Sequence, residues 1–176
     1  PVFKWTDAVV RGTEMTADDG VLHLPDGQKT LRTKIKCIFN TAGNALVNQH
    51  GNINRTARIL QDEKLVEFLL VQDNFLTPTG RFADILLPAC TQFETWGLED
   101  GWKYGDEVIL MPKVVEPPLE AKSDYRIAAG IAAKLGLEQA YTEGRDERGW
   151  VDWILGRYRT TRFPGLRTLD AFGRSN

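Results

Sequence analysis

The chain has 176 residues, 42% of them hydrophobic and 26% charged. That suits one folded core and argues against a wholly disordered chain. Its 22 Lys and Arg stand against 24 Asp and Glu, for a formal net charge of −2, so nucleic acid is not expected as a partner.

Residues 1–34 show no clear period and read as an irregular surface segment. Turn signals at Asp19-Gly20 and Pro25-Asp26-Gly27 flank a short hairpin through Val21-Leu22-His23-Leu24. Ile35 to Phe39 is a short apolar run and predicts a buried strand. The loop Asn40-Thr41-Ala42-Gly43-Asn44 follows. Asn52 or Asn54 is an N-cap for a helix whose apolar row is Ile53, Ala57 and Leu60. Glu67 to Asp73 predicts a second strand, Thr77 to Ala83 a helical turn with Thr77 as cap, and Asp84 to Pro88 a third strand stopped by proline. Strands linked by short helical crossovers point to a parallel sheet with both faces covered. Val108 to Met111 is a further candidate strand. Helices are expected from Ser123 to Gly136 and from about Asp146 to Tyr158.

The expected fold is α/β, a three-layer αβα arrangement on a short parallel sheet. Within it, 35–95 is the α/β core, 96–121 an irregular loop and extended segment, 122–160 two packing helices and 161–176 a flexible basic tail. That tail belongs to a stretch of net +4, in which Arg157, Arg159, Arg162, Arg167 and Arg174 face only Asp170. The chain does not begin with Met, which agrees with a piece of a longer protein. No apolar run approaches 18 residues, so direct membrane insertion is not expected.

In parallel sheets, ligands sit beyond the carboxyl ends of the strands. At the first end, Gly43 permits positive φ and lets backbone N–H groups turn toward a phosphate or pterin edge, or it serves a plain strand-to-helix turn. At the second, Gln72, Asp73 and Thr77 follow the strand. A carboxylate there suits paired N–H donors of guanine or a ribose diol, or it caps the next turn. Thr77 is a helix cap or a ligand contact. Glu94, Glu99 and Asp100 near the third end suggest an acid/base group or a cap-forming acidic loop. His23 and His50 lack ligand-spaced partners, and Cys37 and Cys90 read as reduced, buried thiols. No GxGxxG, Walker loop, HExxH or CxxC occurs. No catalytic residue and no metal ligand is assigned.

Three segments carry a resemblance. Ile35 to Gln49, with Asn52-Ile53-Asn54-Arg55-Thr56 and Ile59-Leu60-Gln61-Asp62, is similar to the dimethyl sulfoxide reductase family of molybdopterin oxidoreductases. The most specific piece is Val71-Gln72-Asp73-Asn74-Phe75-Leu76-Thr77-Pro78-Thr79 followed by Ala83-Asp84-Ile85-Leu86-Leu87-Pro88-Ala89. Glu116-Pro117 to Asp124-Tyr125 resembles a later segment before a helix. The likeness covers about 35–137, and 138–158 more weakly. It implies a Rossmann-like partial domain of a larger enzyme with 35–95 as its cofactor-binding core, a fragment of a molybdenum oxidoreductase catalytic subunit that binds molybdopterin guanine dinucleotide, for reduction of S- or N-oxides or a related two-electron reaction. Gly43 and Asn44 would then lie near phosphates or pterin, and Gln72 and Asp73 at guanosine, with Thr77 close by. The parent would carry molybdenum on bis-molybdopterin guanine dinucleotide, with an iron–sulfur cluster elsewhere and outside this chain. Its partners would be the remainder of the catalytic chain and iron–sulfur and membrane-anchor subunits. The compartment stays open between the periplasmic face of the bacterial inner membrane and the cytoplasm. Gly80 and Glu99 to Lys103 depart from the family pattern, and the molybdenum ligand falls outside the matched segments. Two other readings remain: a stand-alone nucleotide-binding α/β protein, and a non-catalytic interaction domain.

Overall fold

The computed structural model describes residues 5–19, 27–49, 51–101, 105, 107–166 and 168. The chain divides into two compact units, Pro1–Pro88 and Ala89–Asn176. The expected hairpin at 21–24, His23, His50, Trp102 and nearly all of the basic tail beyond Leu166 lie outside the described residues.

The first unit holds helix α1 (Trp5–Arg11), strand β1 (Cys37–Thr41), the single turn α2 (Ala45–Asn48), helix α3 (Ile53–Leu60), and strands β2 (Phe68–Asp73) and β3 (Ile85–Pro88). The strands form one parallel sheet in the order β1-β2-β3. Register runs from Cys37 opposite Phe68 to Thr41 opposite Gln72, and from Leu70 opposite Ile85 to Asp73 opposite Pro88. The short parallel sheet expected from the apolar runs is present.

Both connections step in the same direction across this sheet. Right-handed crossovers then deliver their helices to one face. Leu69 and Val71 of that face are 1% and 0% exposed, packed in one core with Val9, Leu46, Val47, Ile59, Leu60 and Val66. The alternate positions point the other way, and there Phe39 and Ile85 are 48% and 45% exposed. Cys37 lies on this second face and is exposed, a correction to its reading as a buried thiol. Its apolar neighbours in sequence do not cover it, because strand alternation sends Ile38 to the packed side.

Helix α3 begins as expected, with Asn52 Oδ1 accepting the Arg55 N–H at 3.0 Å. Its buried stripe differs from the expected row. Thr56, Ile59 and Leu60 are buried while Ile53 is exposed. A three-residue row cannot fix which side of a two-turn helix meets the sheet. Helix α1 lies inside the stretch read as irregular. Seven residues are too short to show a period, and tertiary contacts hold the helix. The Arg55 guanidinium donates to Thr6 Oγ1 at 3.0 Å and to Asp7 Oδ1 at 3.1 Å.

The second unit contains the antiparallel pair β4 (Gly97–Asp100) and β5 (Val108–Met111), then helices α4 (Asp124–Lys134), α5 (Glu138–Thr142) and α6 (Glu147–Thr161). Ser123 and Asp146 cap α4 and α6, their side chains accepting the Arg126 and Gly149 N–H groups. Val151 and Leu155, 5% and 0% exposed, form the α6 contribution to a core with Trp96, Leu98, Val108 and Leu110. No helix among the described residues is long and apolar enough to cross a membrane.

Candidate functional site

The carboxyl ends of β1 and β2 lie side by side, and two ties lock the loops that leave them. The ladder first extends past β1, where the Ala42 N–H donates to the Gln72 carbonyl at 3.0 Å. The chain then turns through two positive φ values, 53° at Ala42 and 102° at Gly43. A left-handed Ala costs backbone energy that a tightly held loop must offset. Asn40, 8% exposed, steadies the turn by donating from Nδ2 to the Gly43 carbonyl at 2.9 Å.

The first tie is Asp73. It is 8% exposed, and its Oδ2 accepts the Gly43 N–H at 3.2 Å while its Oδ1 accepts the Phe75 N–H at 3.3 Å. The carboxylate thus joins the loop after β1 to the turn after β2. Each oxygen keeps acceptor capacity beyond these single bonds.

The second tie is Asn44 with Thr79. Asn44 stands at the N-cap of α2 but its side chain does not cap that turn. Instead Oδ1 accepts the Thr79 N–H at 2.8 Å and the Thr79 hydroxyl at 2.7 Å. Thr79 is 0% exposed, and its Oγ1 also accepts the Val47 N–H at 3.3 Å.

Of the five sequence candidates, the structure brings Gly43, Asn44 and Asp73 together. Gln72 is 3% exposed and lies on the opposite face of β2 from Asp73. Thr77 closes its own turn, with Oγ1 accepting the Gly80 N–H at 3.2 Å. Asn40 and Thr79 were missed as site residues. Asn40 reads as part of the loop, within which it bonds, and Thr79 as an ordinary turn residue, and nothing local reveals that Thr79 reaches the loop after β1. The Asp84 carboxylate, at the start of the third strand, works at the opposite end of the sheet, where its Oδ2 accepts the Leu69 N–H at 2.7 Å.

The acids near the third strand end hold structure. Glu94 Oε2 accepts the Thr91 N–H at 2.8 Å, and Asp100 Oδ2 accepts from the Tyr158 hydroxyl at 3.0 Å and from Arg162 at 2.7 Å. The Tyr158 hydroxyl is raised above its ordinary value, first by that hydrogen bond to Asp100. A separate concavity of about 560 Å³ in the second unit is lined by Trp96, Tyr125, Arg126, Glu147 and Arg148 among others, and contains none of the candidates. Burial pushes the Glu147 carboxyl up from its ordinary value. Among the described residues, no group of three or more His, Cys, Asp or Glu is placed to hold a metal ion.

Residues 10–134 match the family model for molybdopterin oxidoreductase. Over 174 residues the chain is 41% identical to dimethyl sulfoxide reductase DmsA of Escherichia coli (strain K12), which covers 97% of this chain and 21% of that protein. Over 144 residues it is 39% identical to the dimethyl sulfoxide/trimethylamine N-oxide reductase of Rhodobacter capsulatus, covering 81% of this chain and 17% of that one. Among solved structures, acetylene hydratase from Pelobacter acetylenicus superposes with a TM-score of 0.59 at 24% identity, over 82% of this chain and 18% of that chain. At that identity the superposition speaks to the fold alone. The chain therefore spans about a fifth of the length of the curated relatives it matches.

Proposed function

Since the chain belongs to the molybdopterin oxidoreductase family, we propose that it is the part of a longer catalytic subunit that holds the nucleotide end of a molybdenum–pterin cofactor. The family implies the molybdenum–pterin group, and the guanine dinucleotide form is our further reading. The observation that carries it is the pair of ties joining the two strand-end loops, Gly43 to Asp73 and Asn44 to Thr79. They build a rigid platform where parallel sheets take ligands. The residues fit such a group. A Cβ built on Gly43 meets nothing within 4 Å, so the exposed backbone there is open to close approach.

In this reading Gly43 and Asn44 face phosphates or pterin. Asp73 lies toward guanosine, with Thr77 nearby, while the Gln72 side chain, on the other face of β2, is left out of this reading. The unused lone pairs of Asp73 suit paired N–H donors on a purine edge. When bound, the cofactor supplies two-electron transfer at molybdenum. The chain's own residues bind and orient it, and the molybdenum ligand comes from elsewhere in the subunit. The activity proposed for the parent is reduction of S- or N-oxides, as the names of its relatives suggest. The partners proposed are the rest of the catalytic polypeptide, then iron–sulfur and membrane-anchor subunits, with an iron–sulfur cluster outside this chain.

The test is the full-length parent, purified and assayed for molybdenum and for GMP released by acid hydrolysis. One molybdenum and two GMP per polypeptide are expected from a bis-guanine-dinucleotide cofactor. Asp73→Ala should lower both, and reduction of dimethyl sulfoxide or trimethylamine N-oxide with a reduced viologen should fall in parallel. A parent with neither molybdenum nor pterin, or an Asp73→Ala variant loaded as fully as the wild type, overturns the assignment.

A further inference from the structure

Asn44 has an amide whose orientation decides what it can recognise. Oxygen outward, it would accept; nitrogen outward, it donates. Amide orientation is ordinarily ambiguous and must be settled from partners. Here the partners settle it. The Thr79 backbone N–H can only donate, and it meets the Asn44 side chain at 2.8 Å, so the atom facing it is Oδ1. The Thr79 hydroxyl sits 2.7 Å from the same atom. Val47 N–H already occupies the accepting side of that hydroxyl at 3.3 Å, which leaves its single hydrogen for Asn44. Two donors therefore hold Oδ1, both from Thr79, which is 0% exposed.

The consequence falls on Nδ2. It has no hydrogen-bond partner among the described residues, and it is absent from the buried polar atoms left without one. Nδ2 therefore keeps some solvent exposure, on the residue next to Gly43.

We propose that Thr79 is a positioning residue that locks Asn44 as an obligate donor, so that this strand end takes a ligand atom able only to accept, a phosphoryl or carbonyl oxygen. The proposal rests on the cofactor reading above and deepens it by naming which atoms of that cofactor Asn44 meets. Toward a ligand Thr79 acts through Asn44, since at 0% exposure it reaches none itself, and its bond from the Val47 N–H secures α2.

The decisive experiment uses the full-length parent and three variants, with GMP and molybdenum per polypeptide and melting temperature as readouts. Asn44→Asp preserves an oxygen for both Thr79 donors and replaces the outward N–H groups by an acceptor. It should keep its melting temperature and lose about tenfold or more of its cofactor, the scale of one polar bond turned from attraction to repulsion. Thr79→Val removes the hydroxyl donor and keeps the backbone N–H, so the amide is held by one bond in place of two and a loss of about threefold to tenfold is expected, while Thr79→Ser should stay within about twofold of wild type. A merely structural Asn44–Thr79 pair would leave Asn44→Asp fully loaded, and that result overturns the proposal. So does Thr79→Val loaded as wild type. If Thr79→Val does not fold, Asn44→Asp alone decides. Binding of GDP and guanosine by cofactor-free parent separates the sources. Loss confined to GDP marks a phosphoryl oxygen, and loss of cofactor with GDP and guanosine binding both unaffected marks a pterin carbonyl. Failure of the underlying reading looks different, since the wild-type parent itself would then carry no cofactor.

Discussion

Replacing Asp73 by Asn tests the platform with the smallest change of shape. The native carboxylate accepts the Gly43 N–H at 3.2 Å and the Phe75 N–H at 3.3 Å. The amide offers one oxygen, so in either orientation one of the two N–H groups faces an NH₂. Asp73 is buried, but Gly43 and Phe75 are exposed and both bonds are part-buried, so solvent replaces some of the missing acceptor and keeps the cost low. A hydrogen bond to a charged group is worth roughly 1.5–3 kcal/mol, and a stranded buried donor costs about 1–3 kcal/mol. Both bonds are long, which favours the lower end, so the expected loss is about 2 kcal/mol. With a urea dependence of roughly 1–3 kcal/mol per molar, the unfolding midpoint of the first unit should drop by about 1 M. Amide hydrogen exchange adds the local readout, since the Gly43 and Phe75 amides should lose protection before the strand amides of Leu69 and Val71. An unchanged midpoint with both amides still protected would refute the claim that this carboxylate ties the loops.

Three other outcomes follow from the charges and thiols. Asp19 accepts from the Arg11 guanidinium at 3.0 Å and from the Thr16 N–H at 3.0 Å, which lower its carboxyl from 3.8 to about 2. Its stabilising contribution is complete above the ordinary value and vanishes as pH falls through about 2. Asp19→Asn should therefore flatten the acid limb of a stability–pH curve between those values, and an unaltered limb would contradict the assignment. Glu147 has the opposite sign. Burial raises its carboxyl above 4.5, so ionisation costs stability as pH rises through that window. Glu147→Gln should then raise the unfolding midpoint of the second unit at pH 7 and match wild type at pH 3, and a variant less stable at pH 7 would count against it. Finally, the exposed Cys37 should react with an aromatic disulfide reagent faster than Cys90, whose thiol burial pushes up. Equal rates would contradict the exposed placement of Cys37 on the sheet's open face.

Local chemistry made much of the frame readable. The three parallel strands were legible because each is an apolar run closed by a polar or proline stop, with ends displaced by two residues or fewer. Asn52, Ser123 and Asp146 were legible as caps or helix starts, because a cap bonds an amide only a few residues away. The turn α2 and helix α5, of four and five residues, escaped because so few positions show no period. Coverage of the sheet was less readable. Apolar strands were expected to be buried on both sides, yet within the first unit the helices pack against one face and leave Phe39 and Ile85 exposed.

Residue type and order were enough to announce a β-α-β unit with Gly43 and Asp73 at strand ends, because propensity, capping and alternation act over a few residues. They could not say that Asp73 reaches back to Gly43 or that Thr79 turns the amide of Asn44. Those bonds join positions 30 and 35 apart in the chain. Such partners become neighbours once parallel pairing has set β1 beside β2, and the direction of a side-chain dipole is settled by whichever donor the fold brings to it.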